Sequence, residues 1–189
     1  MLTAKLLVKA YANGYFPMGD IESDEISWYR PDPRAILPLD GFHLSRSLQR
    51  SLRKNAWTVT FDTAFETIMR ACGNRSETWI TEEFVRAYGE LHEAGLGHSV
   101  EVWRGDQLVG GAYGLSLGAA FFAESKFHTE TDASKAALYF LVERLRQNQF
   151  QLFEVQFLTS HLSTLGAIEI SATEYEARLE KALRAPVNF

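Results

Sequence analysis

The chain has 189 residues, 46% of them hydrophobic, including 13 Phe, 7 Tyr and 4 Trp, which is enough to bury a core as one domain or as one with a small appendage. That composition excludes a disordered chain, the single Cys72 excludes an internal disulfide, and no apolar run reaches the length of a membrane-spanning helix. The net charge of −5 argues against a general nucleic-acid binder, so no DNA partner is expected, but the charge is polarised: residues 30–54 carry +4 and the rest of the chain −9.

The N-terminal "MLTAKLLVKAYANGYF" has no signal-peptide cleavage pattern, and a cytoplasmic location is expected. Leu2, Leu6, Leu7, Ala10 and Tyr11 recur at helical spacing and predict a helix over 2–12, stopped by Asn13-Gly14. Next come "YFPMGD" and "WYRPDPRAILPLDG", which hold all but one of the five prolines and predict a loop-rich region with little regular structure. "LSRSLQRSLRK", 44–54, predicts a helix with Arg46, Arg50 and Arg53/Lys54 on one stripe, either a solvated face or a patch for phosphate. Residues 1–55 therefore read as a small basic N-terminal domain, and 56–189 as a second unit.

In that second unit helices are predicted at 63–72 and 82–94, the latter with Thr81 as N-cap and Glu82 and Glu83 in its first turn. Three strand-like runs follow: "HSVEVWRG", "QLVGGAYGLSLG" and "AAFFAESKF". "DASKAALYFLVERLRQNQ" predicts a helix capped by Asp132, then a strand covers 152–158 and a last helix lies around 173–184. Helices, antiparallel strands, a helix and a strand follow in the order of the GNAT-like acyltransferase fold. The fold class expected is α+β, a small N-terminal domain plus a GNAT-like mixed-sheet catalytic domain.

Two motifs invite chemistry that their context opposes. "GLSLG" matches a nucleophile elbow, with Asp132 and His161 in hydrolase order, but the elbow needs a following helix where this chain has a strand, so a hairpin turn is expected. "QLVGGA" matches a coenzyme A pyrophosphate loop, but it leads into a strand and not a helix start. The five His residues are scattered without metal-ligand spacing. What stands out is a pair of acids in apolar strands. Glu154 and Gln156 lie two apart in "LFEVQFL", pointing to one face of a pleated strand, and Glu124 lies in "FFAESKF". Unpaired burial of carboxylates is costly, so they call for a cation, which a substrate, Lys126 or Arg144 would supply. Trp28, Tyr29 and Trp79 offer either stacking surfaces for a base or ordinary packing.

"GYFPM", "WYRPDPRAILPLDGFHLSRSL", "TWI", "AYGELHEAGLGHSVEVW", "LVGGAYG", "ESKF", "DASKAAL" and "QFLTSHLSTLGAIEI" together resemble the leucyl/phenylalanyl-tRNA–protein transferase family, in order over roughly residues 11–170. The resemblance implies transfer of Leu or Phe from aminoacyl-tRNA to the α-amine of proteins beginning with Arg or Lys, marking them for N-end-rule degradation, with neither metal nor coenzyme A. It implies that Glu154 and Gln156 lie at the attacking amine, where Gln156 is expected to orient the amine while Glu154 polarises Gln156 and takes up the proton. Glu124 and Ser125 would lie beside the acceptor, Trp79 near the terminal adenosine of the tRNA, and Trp28 with Tyr29, matching the family's double-Trp pair, would bind substrate. Phe121, Lys126, Leu141, Leu145 and Phe153 would line the aminoacyl pocket, with Arg34, Arg46, Arg50, Arg53 and Lys54 on tRNA phosphates. The chain departs from the family pattern at Ala123, Lys126, His128, Glu154 and Tyr29. The alternatives are a coenzyme A-dependent N-acyltransferase and a non-catalytic module that binds tRNA or basic N-termini.

Overall fold

Thr3, whose side chain accepts the Leu6 N–H, starts the first predicted helix as α1 (Ala4–Ala12), and Gly14 in the left-handed region (φ +78°) ends it. Leu7 and Tyr11 are its buried residues, while Leu6 faces outward. The computed structural model describes residues 1–20, 25–74 and 78–189.

The proline-rich stretch is more regular than predicted. It holds an antiparallel hairpin of β1 (Phe16–Gly19) and β2 (Ile26–Tyr29), then a short strand β3 (Arg34–Ile36). Pro17 is tolerated because β1 is an edge strand, where a missing N–H interrupts no second ladder. Ser45 caps α2 (Arg46–Lys54). β4 (Trp57–Phe61), unforeseen in the sequence, leads to α3 (Phe65–Gly73) and α4 (Glu82–Glu93). Thr81 stands at the N-cap of α4 without a side-chain cap bond.

Three long strands follow as predicted, β5 (Gly97–Arg104), β6 (Gln107–Leu117) and β7 (Ala120–His128), the last two joined by a turn at Gly118 (φ +53°). Then come α5 (Ala133–Gln147), β8 (Leu152–Gln156), a short α6 (Ser160–Thr164), β9 (Ile168–Ile170) and α7 (Ala172–Leu183). One mixed sheet runs β4-β5-β6-β7-β8-β3-β9, with β7 and β8 its parallel pair. β3 lies inside the 1–55 segment yet forms the bridge between β8 and β9, so the large sheet reaches across the expected boundary at 55. Among the described residues, no helix is long and apolar enough to cross a membrane.

Apolar side chains pack on both faces of the sheet, as the period of two in the strands demands. Phe122 joins Tyr11, Tyr88 and Tyr113 in the cluster under α1, α3, α4 and α7, while Phe121 joins Leu141, Leu145 and Phe153 in the cluster under α5. The "VGGAYG" stretch of β6 is the plane where both layers come closest. A Cβ on Gly110 would sit 2.7 Å from the Ala133 Cβ of α5, and one on Gly111 would sit 2.3 Å from the Ile68 Cδ1 of α3. These glycines therefore serve helix–sheet packing from opposite sides.

Candidate active site between β7 and β8

The cleft exists because two strands stop pairing. β7 and β8 are in register from Ala120↔Leu152 to Phe122↔Glu154, and pairing ends there. At that point each strand carries an extra residue against its other neighbour. Tyr113 pairs with Ser125 and Gly114 with Ala123, leaving Glu124 as the extra residue of a bulge. On β8, Gln156 pairs with Ala35 and Glu154 with Ile36, leaving Val155 over. Bulges bend a strand and re-aim side chains. Gly114 makes the first one possible, since a Cβ there would sit 2.1 Å from the Phe122 carbonyl oxygen. Gln156, at φ +67°, takes the chain off the pleat, so the predicted common face for Glu154 and Gln156 does not form.

Glu124 and Gln156 meet across this cleft, with Gln156 Nε2 donating to Glu124 Oε2 at 3.4 Å. The other carboxylate oxygen accepts from the Tyr11 hydroxyl, which lies 2.6 Å from the Tyr88 hydroxyl. Burial pushes the Glu124 carboxyl up to about 8, and nearby Glu154 adds to the rise against the opposing hydrogen bonds. Burial first, then the Glu124 charge, holds both phenols protonated well above their usual range, so they remain donors. Neither tyrosine stands out in the sequence, because each reads as an ordinary core position of an amphipathic helix.

Glu154 is a different matter. It is 0% exposed, and its Oε1 accepts from Arg34 Nε at 2.7 Å and from the Gln156 backbone N–H at 2.7 Å. Burial lifts its carboxyl above the usual range while Arg34 pulls it back. Its burial opposes the expected uptake of a proton by Glu154 through water, and of its two oxygens Oε1 is occupied while Oε2 has no hydrogen-bond partner. The cation sought for it is not a substrate, Lys126 or Arg144 but Arg34. At 1% exposure Arg34 is equally unable to meet tRNA phosphates, which corrects its assignment too.

The walls of the cleft are Ala112, Ala123, Leu138, Val155 and Leu162, with Ser125 and Lys126 as predicted. Phe121, Leu141, Leu145 and Phe153, expected to line it, lie beneath in the α5-side core, with Phe121 edge-on to Phe153 at 5.7 Å. Trp28 and Tyr29 are exposed on the hairpin, Tyr29 stacking on Phe16 at 5.9 Å beside the exposed Phe157. Trp79 is partly buried and edge-on to Phe84 at 5.1 Å. Arg46, Arg50, Arg53 and Lys54 are exposed on α2, which Ser51 ties to the Asp132 carboxylate at the start of α5 (2.7 Å). Lys126, His128 and Lys135 cluster around His161, where burial first and these neighbours next lower the imidazole's pKa. Charge thus continues from α2 toward the cleft mouth, a feature dispersed over three segments of sequence.

The predicted hairpin at "GLSLG" is present, and neither Asp132 nor His161 approaches Ser116. Instead His98 bonds Asp62 Oδ2 at 2.8 Å and Ser116 Oγ at 3.2 Å. This trio lacks an oxyanion site: Ser116 sits within β6, its N–H donates to the Leu96 carbonyl, and Phe189 stacks on His98 at 4.1 Å. "QLVGGA" likewise forms part of β6 and opens no helix, which removes the structural sign of a coenzyme A site.

Comparisons with known proteins show which family the chain is similar to. A family model described as leucyl/phenylalanyl-tRNA protein transferase matches residues 36–180, and one for the N-terminal domain of the same transferase matches residues 1–32. A leucyl/phenylalanyl-tRNA–protein transferase of Paramagnetospirillum magneticum is 54% identical over 187 residues, covering 96% of this chain and 90% of the relative. One from Herpetosiphon aurantiacus is 51% identical over 189 residues, covering 100% and 98%. Among solved structures, the chain is similar to the ribosomal-protein-alanine N-acetyltransferase of Brucella melitensis biovar Abortus 2308, with a TM-score of 0.41 at 13% identity over 56% of this chain and 82% of that one. It is also similar to L-PGS from Bacillus licheniformis, with a TM-score of 0.43 at 10% identity over 84% and 55%.

Proposed function

The chain belongs to the leucyl/phenylalanyl-tRNA–protein transferase family, and from that premise we propose that the cleft between β7 and β8 is where its transfer takes place. The enzyme moves an aminoacyl group from tRNA to the N-terminus of a protein. The observation that carries the proposed site is Glu124 facing Gln156 at 3.4 Å where the two strands part. The acyl donor is already an activated ester, so the protein's task is to hold two substrates in attacking geometry, an effect worth effective molarities of ~10⁵–10⁸ M at best.

Gln156 spends its amide N–H on Glu124, which leaves its carbonyl oxygen to accept an N–H of the incoming amine. An α-amine with a pKa of roughly 7.7–8.0 must lose a proton to attack. The ionised form of Glu124, whose pKa of about 8 matches that of the amine, takes this proton. The amine nitrogen bonds to the ester carbonyl carbon, the C–O bond to the tRNA 3′-terminal ribose breaks, and the ribose oxygen leaves as a hydroxyl with the second proton shed by the attacking nitrogen. Arg or Lys at the acceptor N-terminus suits a cleft that holds Glu124, because a cation beside that carboxyl favours its ionised form. The apolar walls Leu138, Val155 and Leu162 favour Leu or Phe as the transferred side chain. Lys126 also lines the cleft, so a long aliphatic stem is available to its wall.

The test is transfer of labelled amino acids from a panel of charged tRNAs to peptides beginning with Arg, Lys or Ala. Leu or Phe moving to Arg and Lys peptides but not to Ala peptides supports the reading. Transfer of a charged amino acid instead assigns Lys126 a part in specificity, and tRNA binding without any transfer favours a binding module.

A further inference from the structure

Among the described residues the Arg34–Glu154 ion pair is the most enclosed, and it lies at the edge of the cleft. Arg34 presents every part of its guanidinium to a different segment. Nε donates to Glu154 Oε1 on β8 at 2.7 Å, Nη1 to the Gly14 carbonyl after α1 at 2.8 Å, and Nη2 to the Tyr175 hydroxyl on α7 at 3.4 Å. Its plane lies between two rings, 4.7 Å from the Phe16 centroid and 4.5 Å from that of Tyr175. A planar five-donor fork does this where an ammonium does not.

What Arg34 fixes is the oxygen that fixes Gln156. Glu154 Oε1 also accepts the Gln156 backbone N–H, at 2.7 Å. That bond holds Gln156 in the left-handed conformation, φ +67°, which a residue with a Cβ does not keep without support. We propose that Arg34 is a positioning residue for the transfer: through Glu154 it sets the Gln156 backbone so that the carboxamide faces Glu124, and it ties that setting to the α1–β1 segment and to α7. The inference rests on the reading of Gln156 as the group that orients the amine.

The pair need not be there for stability, since a buried ion pair can often be replaced by apolar residues without loss of fold. The test is therefore the full chain carrying Arg34→Met with Glu154→Leu, measured beside Gln156→Ala and the triple variant. The double variant unfolds cooperatively and loses about 10²-fold in kcat, the scale of a misplacement near 1 Å, with the KM for charged tRNA unmoved. Adding Gln156→Ala to it lowers kcat little further, because the groups act as a unit. Arg34→Lys, which keeps the charge opposite Glu154 and loses the fork, falls between and serves as the measurement if the double variant does not fold. Wild-type kcat in the folded double variant, with Gln156→Ala slow, overturns the role of Arg34 and leaves Gln156 standing. Losses that multiply fully overturn the route through Gln156. Wild-type kcat in Gln156→Ala overturns the premise and the proposal with it.

Discussion

At the scale of single residues the proposed chemistry depends on a carboxyl whose burial raises its proton affinity to that of an amine. Glu124 lies under Tyr11 and beside Gln156, and burial holds its pKa near 8 against an ordinary 4.5. Between those two pH values the folded protein binds a proton that the unfolded chain has released, so this group's contribution to stability is complete below pH 4.5 and falls as pH rises toward 8. Glu154, also raised, adds in the same direction. Glu124→Gln removes the titration. Its stability relative to wild type should improve steadily from about pH 5 to about pH 8 and level off above, read from melting curves across that range; parallel curves would count against a buried, titrating Glu124. The same variant should lose about 10²–10⁴-fold in transfer, the usual contribution of a general base. Sequence points to Glu124 and Gln156 as neighbours only on the condition that β7 and β8 pair; the bulges that bring the two side chains together are not visible in it. It does not reveal Arg34 as the partner of Glu154: the two are 120 positions apart, and a count of cations does not distinguish a buried guanidinium from a solvated one.

At the scale of elements, helices and long strands are legible because their periodicity is intrinsic to the segment. β3 is not. Three residues among prolines show no period, and Arg34–Ile36 form a strand only because β8 and β9 are there to pair with it. The bulges that open the cleft are equally silent in sequence, apart from Gly114, whose missing Cβ gives the Phe122 carbonyl its space. The glycines of β6 make a sharper test of packing. Gly110→Ala places a methyl 2.7 Å from the Ala133 Cβ and 2.9 Å from the Ala133 carbonyl carbon. Neither atom sits at the end of a flexible side chain, so α5 must shift at its N-terminal end. The expected loss is about 1–3 kcal/mol in denaturant unfolding, as for other overpacked sites. Because Leu138 of α5 lines the cleft, kcat should fall as well. Unchanged stability would mean that α5 is not held against β6 as closely as these distances state.

Across the whole molecule, charge separates two functions that the net value of −5 conceals. Arg30 pairs with Glu176 and Arg34 with Glu154, so the basic surface of residues 30–54 reduces to Arg46, Arg50, Arg53 and Lys54 on α2. Ser51 joins this helix to Asp132 at the head of α5, and from there Lys135, His128 and Lys126 lead to the cleft. A strand of phosphates lying along that line would bring its 3′ end to Glu124 and Gln156 without any base being read, which suits an enzyme that must accept tRNA by its charged end. Each phosphate neutralised by a basic side chain releases counterions, so the log–log slope of affinity against salt becomes shallower by about 0.7–0.9 for every phosphate left without its cation. Replacing Arg46, Arg50 and Arg53 together with Gln should therefore flatten that slope by roughly 2–3 and raise the KM for charged tRNA at low salt. The acceptor peptide's KM provides the internal comparison, since on the proposed reading it engages the cleft and not α2. A slope unchanged by the triple substitution would move the tRNA path off α2, leaving the cleft-side cluster around His161 as the remaining basic approach.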